Sequence, residues 1–68
     1  MKLSDKIRLK MQTALDKQKA ILAAAEKDDN RALTDAETVE FDNETKAYES
    51  AEVELKRVEA TETREADM

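Results

Sequence analysis

Across 68 residues the chain contains neither glycine nor proline. Glycine supplies the left-handed backbone used by tight hairpins, phosphate-cradling loops and sheet corners, and proline marks the places where helices and strands stop. A chain without either is poorly equipped for a β fold and has nothing inside it to break a helix. Alanine and the straight-chain residues Glu, Lys, Leu, Gln, Met and Arg dominate instead, with β-branched residues scattered among them, so the expectation is an all-α protein. The length allows one small domain over residues 1–68 and no second core, so self-association is expected to add what a small core lacks.

Helical periodicity gives two segments. At about 100° per residue, Leu3, Ile7, Met11, Ala14, Leu15, Gln18, Ile21, Leu22 and Ala25 fall on one stripe with lysines at its flanks. This predicts an amphipathic helix over about 4–27, with Ser4 as N-cap, Asp5 behind it, and Lys27 in the last turn where a cation suits the dipole. The polar run Asp28-Asp29-Asn30-Arg31-Ala32 interrupts the stripe and predicts a turn over about 28–33, with Asn30 taking the left-handed position that glycine would otherwise fill. Next comes Leu33-Thr34-Asp35-Ala36-Glu37, in which Thr34 and Glu37 have the spacing of a reciprocal capping box and Asp35 puts negative charge in the first turn. A second helix is expected over about 35–62, followed by a frayed acidic tail at 63–68. Its seam is Phe41, Tyr48, Ala51, Leu55 and Val58, thinned by Glu44, which must lie at the edge, pair with a cation or face a wet interior.

Charge divides along the same boundary. Residues 1–27 carry seven Lys and Arg against three acids, a net +4, whereas residues 28–68 carry five against fourteen, a net −9. Halves of opposite sign attract each other, within a chain or between chains. Folding at the turn sets Leu22 beside Phe41, Leu15 beside Tyr48, Met11 beside Ala51, Ile7 beside Leu55 and Leu3 beside Val58. The same register brings Lys10 near Glu52 and Glu54, so apolar and charge patterns agree. The expected architecture is an antiparallel two-helix hairpin or coiled coil, closed within one chain or exchanged between chains, assembling into a helical bundle.

Composition argues against most chemistry. Without Cys there is no disulfide or thiolate, and without His the commonest general base and metal ligand is missing. Glu37, Glu40 and Glu44 recur on adjoining turns, but an acidic helix face is ordinary. Asp28 and Asn30 begin like a calcium loop, yet Leu33 stands where glycine is needed and Val39 where the closing glutamate is needed. No catalytic residue, metal site or cofactor is expected. The basic first segment lacks interfacial Trp or Phe and any aromatic stacking platform, and an acidic helix follows it, so neither a membrane nor a nucleic acid is the expected partner. No continuous apolar run forms a signal peptide or membrane span, which makes a soluble cytoplasmic protein the default expectation.

The order of a basic amphipathic helix, a short polar turn, Arg31-Ala32-Leu33-Thr34, an acidic first turn, Phe41-Asp42 and a charged coiled-coil helix resembles the N-terminal scaffolding or delta domain of tailed-phage major capsid proteins of the Hong Kong 97 fold. The resemblance covers nearly all of the chain, and the Leu-Thr capping element followed by Phe-Asp is its sharpest part. Two features differ: Ala36 and Thr38 flank Glu37 where the family tends to place consecutive acids, and Glu44 and Ala51 stand where it favours Leu. The resemblance implies a scaffolding role in procapsid assembly through helix association, inside the immature capsid in the host cytoplasm. It also implies copies of itself and other capsid subunits as partners, and removal by a maturation protease. The alternative is a small coiled-coil regulatory or adaptor module that binds a host or phage protein.

Overall fold

The computed structural model describes residues 1–67, and the backbone forms two helices: α1, Leu3–Lys27, and α2, Asp35–Asp67. They pack against each other as an antiparallel hairpin in a rod whose principal extents are 56 × 17 × 14 Å. Its length is close to that of α2 alone, since 33 helical residues rise about 50 Å.

Both helices begin with a carboxylate three residues into the helix folding back onto a free backbone N–H. At α1 the N-cap is Lys2, in an extended conformation, and Asp5 Oδ2 accepts from the Lys2 N–H at 3.3 Å. The expected cap, Ser4, instead lies inside the first turn with its side chain against α2. A capping hydroxyl accepts from the backbone N–H two or three residues on, whereas that of Ser4 is buried and donates to Glu62. At α2 the expected box is present: Glu37 N–H donates to Thr34 Oγ1 at 3.1 Å, and Thr34 N–H donates to Glu37 Oε1 at 3.0 Å.

The turn makes its left-handed bend without glycine. Asp29 and Asn30 have φ of 59° and 54°, and short polar side chains of this kind tolerate that region best among non-glycine residues. Asn30 is where the sequence places the bend, and Asp29 shares it. This pair of residues returns the Arg31 N–H to the Ala25 carbonyl at 3.1 Å and the Asn30 N–H to the Glu26 carbonyl at 3.3 Å, which satisfies these carbonyls of the last turn of α1.

The core is narrow. Ile7 is fully buried, and the other buried apolar residues are Ala14, Ala25 and Ala51, whose short side chains let the backbones approach. Around them Met11, Leu15, Ile21, Phe41, Tyr48, Leu55 and Val58 are half-buried. Leu3 and Leu22, expected in the interface, are instead 53% and 43% exposed. Two helices can cover only one strip of each other, and these two leucines lie at the margins of that strip, near its two ends. The tail expected to fray past residue 62 continues as helix through residue 67, with Glu62 held by a contact to α1; Met68 lies outside the described residues.

Candidate functional site

Arg31 organises the turn. Its Nη1 and Nη2 donate to Glu37 Oε1 and Oε2 at 2.6 and 3.0 Å, its Nε donates to Asp28 Oδ2 at 3.0 Å, and Nη1 also reaches the Ala32 carbonyl at 3.1 Å. A planar guanidinium suits this forked arrangement in a way that a lysine ammonium does not. Glu37 therefore caps α2 and receives Arg31 with the same carboxylate. The Arg31 hydrogen bond, then the backbone N–H of Thr34, hold the Glu37 carboxyl down at about 2, and the Glu37 hydrogen bond raises the Arg31 guanidinium above its ordinary range. A carboxylate so held is a poor proton carrier near neutrality, and its geometry serves to lock the turn.

Polar pins cross the hairpin along its length. Gln18 Nε2 donates to Thr45 Oγ1 at 2.7 Å and to the Phe41 carbonyl at 3.1 Å. The Thr45 hydroxyl donates in turn to that carbonyl. Lys17 pairs with Glu44 at 3.5 Å, which answers how a glutamate sits on the inner seam: its side chain is 20% exposed and its charge is met by a cation from α1. Near the open end Arg8 Nη2 donates to Glu59 Oε2 at 2.8 Å while Nη1 bonds Asp5, and the buried Ser4 hydroxyl donates to Glu62 Oε1 at 3.1 Å.

The charge attraction between halves is thus carried by residues other than those expected. Lys10 makes no ion pair with Glu52 or Glu54 among the described residues; Arg8 and Lys17 take the acidic partners instead. Lys10 borders a groove with Leu9, Thr13 and Ala47, to one side of the seam. Periodicity identifies the flank on which a long cation sits but not which neighbour its flexible stem will reach. Arg31 carries a local signal, standing three residues after Asp28 and six before Glu37, within reach of both. Gln18 and Thr45 have no such signal, because their meeting depends on the register of the folded hairpin.

Besides the groove at Lys10, two more shallow grooves flank the seam. One is lined by Met11 and Leu15 of α1 with Tyr48 and Leu55 of α2, and is edged by Arg8 and Gln12. The structure thereby brings together four of the residues expected to form the helix interface, and leaves part of each uncovered. The other groove is lined by Ala20, Ile21, Lys17, Glu40, Asn43 and Glu44 and is crossed by the Lys17–Glu44 pair. Among the described residues no cluster of His, Cys, Asp and Glu has the arrangement of a metal site, and no helix is long and apolar enough to cross a membrane. The arrangement offers packing surfaces and oriented charges. No protein-family model matches the chain, and no curated protein or solved structure matches it.

Proposed function

We propose that this hairpin is an assembly element of the scaffolding kind, which associates through its helix faces, guides shell subunits of a tailed-phage procapsid to their proper curvature, and is cut away on maturation. The observation that carries this reading is the presence of the Thr34–Glu37 box together with an open apolar groove on a hairpin of one basic and one acidic helix. The box is the motif on which the family resemblance rests, and the groove is a surface two helices alone leave unfilled.

Physical considerations support a weak associating module. Each hairpin has a small core and modest apolar contact to offer, but tethering many copies to shell subunits multiplies weak contacts into firm assembly. Such a module need not form a very stable isolated oligomer, and its removal is easier for that reason. The acidic α2 would also repel packaged nucleic acid, which gives a physical reason for its removal before the shell is filled.

The test is to join the chain ahead of a shell subunit of this fold whose own scaffolding segment has been deleted, and to image the products by electron microscopy. Closed particles of uniform size are the expected result. Unassembled subunits or irregular sheets, from a fusion whose hairpin is folded by circular dichroism, would overturn the proposal.

A further inference from the structure

We infer that a second copy of this chain covers the groove lined by Met11, Leu15, Tyr48 and Leu55, forming a four-helix bundle in which α1 of each copy lies on α2 of the other and both turns point to the same end. The inference deepens the assembly reading and rests on it for its biological role, but the surface and its orientation follow from the hairpin's own residues.

The groove is the stronger of the two faces for such a contact. It carries half-buried Tyr48, one of the chain's two aromatic residues, together with long aliphatic side chains. The opposite groove sets Ala20 and Ile21 among the polar side chains of Glu40 and Asn43 and the Lys17–Glu44 ion pair, which a dry interface would have to desolvate. Seven-residue steps extend the first face along both helices, from Leu15 to the 43% exposed Leu22 on α1 and from Tyr48 back to half-buried Phe41 on α2. A face on a rod 56 Å long and 17 Å wide is commensurate with the ~800 Å² per partner that a specific interface buries.

Charge decides both the occupant and its orientation. Residues 1–27 carry net +4 and residues 28–68 net −9, so one side of the groove belongs to a basic helix and the other to an acidic one. Lys19 stands four residues beyond Leu15 on the α1 rim, and Glu52 stands four residues beyond Tyr48 on the α2 rim. A partner must therefore present acid along one rim and base along the other, with an apolar strip between, and this chain presents that pattern itself. A two-fold axis along the rod puts each basic helix against the partner's acidic helix, and makes every neighbouring pair antiparallel. A two-fold axis lying across the rod in the plane of the face would stack basic on basic and acidic on acidic, an arrangement that like-charge repulsion disfavours.

Light scattering on the full chain over a wide concentration range, combined with spin-label distances from Ala32→Cys, tests this. Ala32 is exposed in the turn. The expected results are a mass of twice 7.7 kDa and an intermolecular label distance below half the 56 Å length. Leu22→Glu, at a position 43% exposed in the hairpin, is expected to halve the mass while helicity at high concentration persists. Ala47→Glu, in the groove bordered by Lys10 and Thr13 and away from the proposed face, is expected to leave the mass unchanged. A monomer at every concentration, a larger oligomer, a label distance near the full rod length, or an unchanged mass for Leu22→Glu would each overturn the inference. A dimer of this geometry that fails to restore particles in the shell fusion would overturn the assembly role alone, and particles from a chain that does not form this dimer would overturn the inference alone.

Discussion

The two ends of the hairpin are held by different means. At the turn the contacts join residues three to six apart: Asp28 to Arg31, Arg31 to Glu37, and Thr34 to Glu37. At the open end the pins join residues 51 and 58 apart, Arg8 to Glu59 and Ser4 to Glu62, around the fully buried Ile7. The turn is thus specified locally by side chains that find each other whenever that stretch folds. The open end holds only when the helices are already in register, and depends on the packing that sets it.

Perturbing each end should separate these two kinds of support. The largest effect is expected at the open end: Ile7→Ala removes most of the largest fully buried side chain and should cost about 3 kcal/mol. In a domain with so small a core that loss should leave the chain largely unfolded, as read by thermal melting in circular dichroism at fixed concentration. A melting midpoint equal to that of the unaltered chain would mean that the open end contributes little.

The next effect belongs to the turn. Thr34→Ala deletes one half of the box and should cost about 1 kcal/mol, again by thermal melting. Glu37 adds a pH signature. Its carboxyl is lowered from 4.5 to about 2, so the stability it contributes is complete above pH 4.5 and is lost as the pH falls towards 2. The midpoint of the unaltered chain should fall across that window, and Glu37→Gln should reduce the fall. An acid profile identical in both would show that the Arg31 clasp does not stabilise the fold.

Smaller effects should distinguish the pins at the open end. Ser4→Ala removes the hydroxyl bonded to Glu62 and is expected to cost about 1 kcal/mol or less, with faster hydrogen exchange in the last two turns of α2 as the sharper readout. Arg8→Ala should cost below about 1 kcal/mol, because its pairs are half exposed and screened by salt. Lys10→Ala should change stability by no more than about 0.5 kcal/mol. A larger effect for Lys10 than for Arg8 would restore the pairing with Glu52 and Glu54 that the sequence suggests.

This contrast also explains what could be read from the sequence. The all-α hairpin, the position of the turn, the Thr34–Glu37 box and the left-handed Asn30 were legible because each depends on residues close in sequence or on a period of about 3.6. Met11, Leu15, Tyr48 and Leu55 were placed together by the register, and the structure puts them on one groove. Ser4 misled because serine before an apolar stripe is a good cap in general, whereas here the helix starts at Leu3 and Ser4 faces α2. Leu3 and Leu22 share the phase of the stripe, but phase alone does not say how wide a strip one neighbouring helix can cover. Charge and level point Lys10 towards Glu52 and Glu54, while the ion pairs between the helices belong to Arg8 and Lys17. Past residue 62 fading apolarity suggested fraying, yet helix-forming residues carry α2 on through residue 67.

The locally specified turn also bears on how the chain folds in time. Contacts around Arg31 close loops of only a few residues, a step that takes on the order of tens of nanoseconds, whereas joining Ser4 to Glu62 from an unfolded chain must close a loop of 58 residues. Once the turn exists, each successive pin needs only the next stretch of helix to come alongside, first Gln18 with Thr45, then Arg8 with Glu59, then Ser4 with Glu62. The hairpin is therefore expected to zip from the turn outward and to unzip from the open end inward, with mutations at the turn slowing folding and mutations at Ile7 mainly speeding unfolding.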